Sequence, residues 1–144
     1  MKLTVCGTPA PQGSKTRTKF GGLREDNPNT AVWREAVKAA VMLAYPLGSR
    51  TDVCLARGPV IVEIEFAMPR PKSAKKGACA DRKPDIDKLL RCTFDAMTEM
   101  GCWEDDARVV RVTATKLYAG EISLLPIPGA LIHWDSIGRS SGCR

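Results

Sequence analysis

PVIVEIEFAMP, residues 59–69, alternates with a period of two: Val60, Val62, Ile64, Phe66 and Met68 fall on one side, Ile61, Glu63 and Glu65 on the other. That spacing predicts a strand with one face in a core. A strand cannot bury that face alone, and the flanking segments offer the cover. Before it, TAVWREAVKAAVMLAY, residues 30–45, places Val32, Ala36, Ala40 and Leu43 at helical spacing, with Asn29 or Thr30 as cap and Pro46 and Gly48 as stop. After it, a helix is expected over residues 85–100, with Ile86, Leu89, Leu90, Phe94 and Met97 as its apolar stripe and Gly101 beyond its end.

Further strands are predicted over 108–118 (RVVRVTATKLY), over 129–134 (GALIHW) and, as an opening strand, over 2–6 (KLTVC). The order is β-α-β-α-β-β, which predicts an α+β fold: a small mixed β-sheet with two main helices packed on it. Residues 1–134 are expected to form one domain and 135–144 a flexible tail. Residues 8–29, rich in Gly, Pro, Lys, Arg and Thr, show no period and are expected to be a long loop.

The chain has 144 residues, a formal net charge of +6 and an isoelectric point near 9.1, which suit a polyanionic partner. No stretch approaches the roughly 18 consecutive apolar residues of a membrane helix. The opening MKLTVCGTPAPQGSK has only a short apolar run before Gly7 and Pro9 and does not resemble a signal peptide. Six cysteines occur without a CxxC, and His133 is the one histidine, which argues against structural zinc. The cysteines are therefore expected to be reduced thiols of a cytoplasmic protein.

The acids are unevenly placed. Of 16, half fall between 81 and 106: Asp81, Asp85, Asp87, Asp95, Glu99, Glu104, Asp105 and Asp106. Carboxylates as close as Asp85 and Asp87 repel each other when both ionise, so something must compensate. Asp85 stands at a helix start, and Asp87, Arg91 and Asp95, spaced by four, share a face of that helix. If the turn at 104–106 folds back beside the helix start, Asp85, Asp87 and Asp106 form one acidic pocket. Magnesium suits it, because that ion takes oxygen ligands and keeps waters and substrate phosphates as the others. Just before lies RPKSAKKGACADRKP, residues 70–84, whose cations Arg70, Lys72, Lys75, Lys76, Arg82 and Lys83 can hold a nucleic-acid backbone. The plainer reading makes Asp85 a cap and the EDD a solvated turn.

Asp85-Ile86-Asp87-Lys88, Arg91, FDAM, GCWEDDARVV and Lys116 follow one another without a gap against a DxDN-type helix start, a Lys three residues later, a DAL-like helix end, a DDA-V turn and a strand closed by Lys. In this the chain resembles the RusA family of Holliday junction resolvases, and GTPAPQGSK and WREAV resemble its phage-type members. The resemblance implies a homodimer that resolves four-way DNA junctions by paired symmetric nicks in recombination and repair, in the bacterial host cytoplasm. It implies Mg²⁺, or Mn²⁺, held by Asp85, Asp87 and Asp106, with Asp105 and Asp95 as supporting acids and Lys116 on phosphate. Lys88 stands where the family has Asn, and Arg91 where it has the catalytic Lys. Arg91 then either stabilises charge at the phosphate or bridges Asp87 and Asp95.

Lys15, Arg17 and Lys19 add a basic fringe for DNA, joined by Lys72, Lys75, Lys76, Lys83 and Lys88, and Phe20 is a candidate wedge. Trp33, Trp103 and Trp134 are expected in the core or a dimer contact, and His133 as a satisfied histidine of an apolar strand. The alternative class is a non-catalytic junction-binding protein on the same scaffold; a protein-interaction subunit is the third, and strong salt dependence of DNA affinity would argue against it.

Overall fold

The computed structural model describes residues 1–13, 15–17, 23–25, 27–46, 56–120 and 123–137. The period-two stretch is the strand β4 (Val60–Met68), and Val60, Val62, Ile64, Phe66 and Met68 are all buried. It lies inside a four-stranded sheet in the order β1-β6-β4-β5, with β1 at Lys2–Cys6, β5 at Val109–Tyr118 and β6 at Gly129–Ser136. β6 runs antiparallel to both β1 and β4, whereas β5 runs parallel to β4 from Val60↔Val109 to Met68↔Tyr118, with a bulge after Val60. Parallel neighbours need a crossover, and the helix α2 (Ile86–Glu99) supplies it. The predicted α+β fold and element order are observed, with β6 running on through Asp135 and Ser136; residues 138–144 lie outside the described residues.

The helix α1 (Pro28–Ala44) starts earlier than expected. Asn27 is its cap, with Oδ1 accepting the Asn29 N–H at 3.0 Å, and Pro28 opens the first turn, where a missing N–H costs nothing. Its buried face is centred on Thr30, Trp33, Val37 and Val41; of the expected residues Ala36 and Ala40 are half-buried against the core, while Val32 and Leu43 turn away from it. Val32 and Leu43 are 69% and 85% exposed. The indole decided the rotation: Trp33 offers the largest apolar surface on the helix, and its Nε1–H donates to Thr93 Oγ1 across α1 and α2 at 3.0 Å. Trp103 and Trp134 are also in the core.

On α2 the buried set is Leu89, Cys92, Thr93, Phe94, Ala96 and Met97, while Ile86 and Leu90 are half-buried. Gly101, at φ +73°, follows the C-cap Met100 in the left-handed conformation that glycine tolerates.

The expected loop over 8–29 holds a small antiparallel pair, β2 (Lys15–Arg17) with β3 (Leu23–Glu25). Three-residue strands are too short to show a period. His133 is a correction too. It sits in β6 on the solvent face of the sheet, between Lys2 and Glu63 in register, and is exposed. Among the described residues no disulfide joins Cys6, Cys79, Cys92 or Cys102; Cys54 and Cys143 lie outside the described residues. No described helix is long and apolar enough to cross a membrane.

Candidate functional site

α2 runs antiparallel to the strands on either side of it in sequence, so its two ends face opposite ends of the sheet. Asp85 is its N-cap residue, exposed and extended at φ −69° and ψ 140°, and its side chain makes no capping bond. The plainer reading therefore loses its side-chain capping bond, while Asp85 keeps its place at the positive end of the helix. Its Oδ2 instead pairs with Lys88 Nζ at 3.3 Å, which places a cation against it where the resemblance expects Asn. Asp87 lies exposed in the first turn.

The segment leading into Asp85 is held from the sheet. Lys116 Nζ, on β5, donates to the carbonyls of Arg82 at 2.6 Å and Pro84 at 2.8 Å. The half-buried ammonium expected on phosphate spends two of its three N–H donors on these backbone carbonyls. Around it Lys72, Lys75, Lys76, Arg82, Lys83 and Lys88 are all exposed. Turns closed by Ala74 N–H to Pro71 O and Ala78 N–H to Lys75 O hold the loop's shape. Lys15 and Arg17 fall on β2; Lys19 and Phe20 lie outside the described residues.

Asp106 stands at the other end of α2, as the first residue of a short 3-10 helix, Asp106–Arg108. Its Oδ1 accepts from Thr98 Oγ1 at 2.5 Å and from Trp103 Nε1 at 3.0 Å. Asp105 caps the 3-10 turn, with Oδ1 accepting the Ala107 N–H at 2.7 Å. Around a cavity here lie Gln12, Arg34, Asp95, Glu99, Asp105 and Asp106. Burial pushes the Asp95 carboxyl above the usual carboxylate range, and Asp106 and Glu99 add to the rise against Arg34 and the Gln12 amide. Glu99 moves the other way, because Lys38 Nζ at 2.6 Å and the Arg34 guanidinium stabilise its anion.

The expected single pocket of Asp85, Asp87 and Asp106 is thus not gathered within one chain. The turn at 104–106 folds back beside the end of α2, not its start, because β5 enters the sheet parallel to β4. α2 has 14 residues, about 20 Å of helix at roughly 1.5 Å per residue, and that length separates the two acidic sets. Among the described residues no three His, Cys, Asp or Glu side chains are grouped to hold a metal. The donors fit Mg²⁺ in kind: carboxylate oxygens at both ends and, beside Asp95, the buried Gln12 Oε1 without a partner. They do not fit it in arrangement within one copy. Arg91 is exposed, and no ion pair joins it to Asp87 or Asp95 among the described residues; Asp95 faces Arg34 at 3.9 Å instead. Arg34 and Gln12 escaped the sequence reading because neither sits in an acidic or basic run.

A family model described as endodeoxyribonuclease RusA matches residues 7–125. The chain is 39% identical over 70 residues to a crossover junction endodeoxyribonuclease of Enterobacteria phage 82, covering 49% of each chain. It is 38% identical over 66 residues to those of Escherichia coli K12 and Shigella sonnei Ss046, covering 46% of each. The chain thus matches about half the length of these curated relatives.

Proposed function

We propose, from the premise that this chain belongs to the endodeoxyribonuclease RusA family, that it is a Mg²⁺-dependent endonuclease that resolves four-way DNA junctions by paired symmetric nicks. The observation that carries the reading is at the start of α2. There a carboxylate unspent on capping, Asp85, shares one cavity wall with Arg82, Lys83 and Lys88. Cations hold the phosphate backbone, and a carboxylate beside them is where a hydrolytic metal is wanted. The role extends to recombination and repair in the bacterial cytoplasm.

Mg²⁺ is the proposed cofactor, with Mn²⁺ as a substitute; when bound it supplies charge neutralisation and an acidified water. Asp85 and Asp87 of one copy would hold it together with Asp106 of a second copy. Support for the second copy comes from β5, an edge strand with Val110 and Val112 exposed. β5 starts just after Asp106 and carries Lys116, which touches Pro84, near its end. Two β5 edges paired antiparallel about a two-fold axis would bring the start of each strand to the end of the other. That same operation brings Asp106 of one copy toward Asp85 of its partner. Arg91, exposed two turns from Asp85's end of the helix, is assigned to charge at the phosphate.

The test is a labelled four-way junction, linear duplex and single strand, each with Mg²⁺ or EDTA. Paired nicks confined to the junction and to Mg²⁺ are expected. Tight junction binding with no nicks under Mg²⁺ or Mn²⁺ would favour the second reading, a junction-binding protein on this scaffold, to which the Lys88–Asp85 pair lends support.

A further inference from the structure

The cavity that Asp85 shares with the basic loop is larger than a phosphate needs. Its volume is about 560 Å³, within the range of about 300–1,000 Å³ that small-molecule sites occupy. Its walls are mainly apolar and flat-faced: Pro9, Pro11, Pro69 and Pro71, with the Met68 thioether and the Tyr118 ring. Asn27 and Asn29, at the start of α1, add polar groups to the lining. Because Asn27 Oδ1 accepts from the Asn29 N–H, the Asn27 NH₂ is the donor that amide offers.

Two sets of bonds hold this cavity open. On one side Thr30 Oγ1 donates to Pro11 O at 2.8 Å, and Gln12 N–H to Lys88 O at 3.0 Å, fixing the proline wall to both helices. On the other, the Lys116 bonds fix Arg82 and Pro84. An apolar slot with a polar edge and a cationic rim matches an unstacked nucleobase still attached to its backbone. The base meets flat apolar surface and amide donors, and the phosphate meets Arg82, Lys83 and Lys88.

We propose that the cavity takes one extruded nucleobase of the strand whose phosphate lies at Asp85, and that the fit of this base sets where the strand is nicked. The inference rests on the junction-nuclease reading. Extruding a base costs its stacking energy, which a junction's strained centre lowers.

The test places 2-aminopurine, one position at a time, through the central nucleotides of a four-way junction and titrates wild-type protein in EDTA. A rise in emission at one position relative to the nick is expected, since unstacking relieves quenching. The same titration with Thr8→Trp, which fills the slot from an exposed lining residue, should abolish the rise. In Mg²⁺, nicking rates of wild type should differ by about tenfold among the four bases at that position, as hydrogen bonds from the Asn27 and Asn29 amides to one base edge allow. Thr8→Trp should level them. Emission that stays quenched at every position on a protein-bound junction overturns the base site and leaves the nuclease reading standing. Failure to bind any DNA overturns both.

Discussion

Lys116 Nζ donates to Pro84 O at 2.8 Å, joining the sheet's edge strand to the residue before Asp85. A side chain that resemblance assigns to phosphate is here a tether for the loop that presents the carboxylate. Lys116→Met should cost about 1 kcal/mol of stability, chiefly by leaving the part-buried Pro84 carbonyl without its donor. It should slow nicking while leaving the salt dependence of junction binding unchanged. Lys83→Ala, by contrast, should lower the slope of log affinity against log salt by about 1. A salt series of binding constants for both variants separates the roles.

Separation of Asp85 from Asp106 by the length of α2 makes a mixing experiment decisive. With the site shared between two copies as proposed, Asp85→Asn and Asp106→Asn proteins should each be inactive. Mixed and allowed to exchange, the proposed dimers would redistribute into mixed pairs with one site carrying both changes and one carrying neither. Nicking of single strands should then reappear at a sizeable fraction of the wild-type rate. A mixture as inactive as its parents would show that the acids do not act across two copies.

Lys88 Nζ lies 3.3 Å from Asp85 Oδ2, the carboxylate proposed to hold Mg²⁺, and would compete with the ion for it. Lys88→Asn should therefore lower the Mg²⁺ concentration for half-maximal nicking. An exposed ion pair is worth at most about 1 kcal/mol, so the shift should not exceed roughly fivefold. A Mg²⁺ titration at saturating protein reads it directly.

Glu99, bonded to Lys38 and Arg34, is held below the usual carboxylate range, and Lys38 is held above the usual lysine range by Glu99 and Glu35. The signs differ at the two ends of the pH scale. Stability from Glu99 is complete above its unfolded value and is lost as pH falls through its lowered folded value. Stability from Lys38 is complete below its unfolded value and is lost as pH rises through its raised one. Glu99→Gln should flatten both arms of a thermal-unfolding profile against pH. Asp95→Asn should act oppositely in the acid arm, since burial already disfavours the Asp95 anion.

The sheet was readable because β4 alternates without a break, and a two-period pattern leaves only one face to bury. The phase of α1 was not, since four small apolar residues and one indole competed and the larger surface prevailed. Asp85 and its basic neighbours were legible because they are close in sequence. The position of Asp106 was not, because it depends on β5 joining β4 in parallel, a long-range pairing no local spacing encodes. Lys116's partners are 32 and 34 residues away, beyond the reach of any motif.

β6 lies between β1 and β4, so the ribosome makes the outer strand β1 long before the strand that holds it. During synthesis Leu3 and Val5 must wait, unpaired, until Ala130 and Ile132 emerge, while the crossover from β4 through α2 to β5 can already close. The nascent chain therefore leaves one edge of β4 unpaired from the emergence of Met68 until that of β6. Messages cut short before β6 should yield not a smaller enzyme but an aggregation-prone remnant, a substrate for chaperones and proteases.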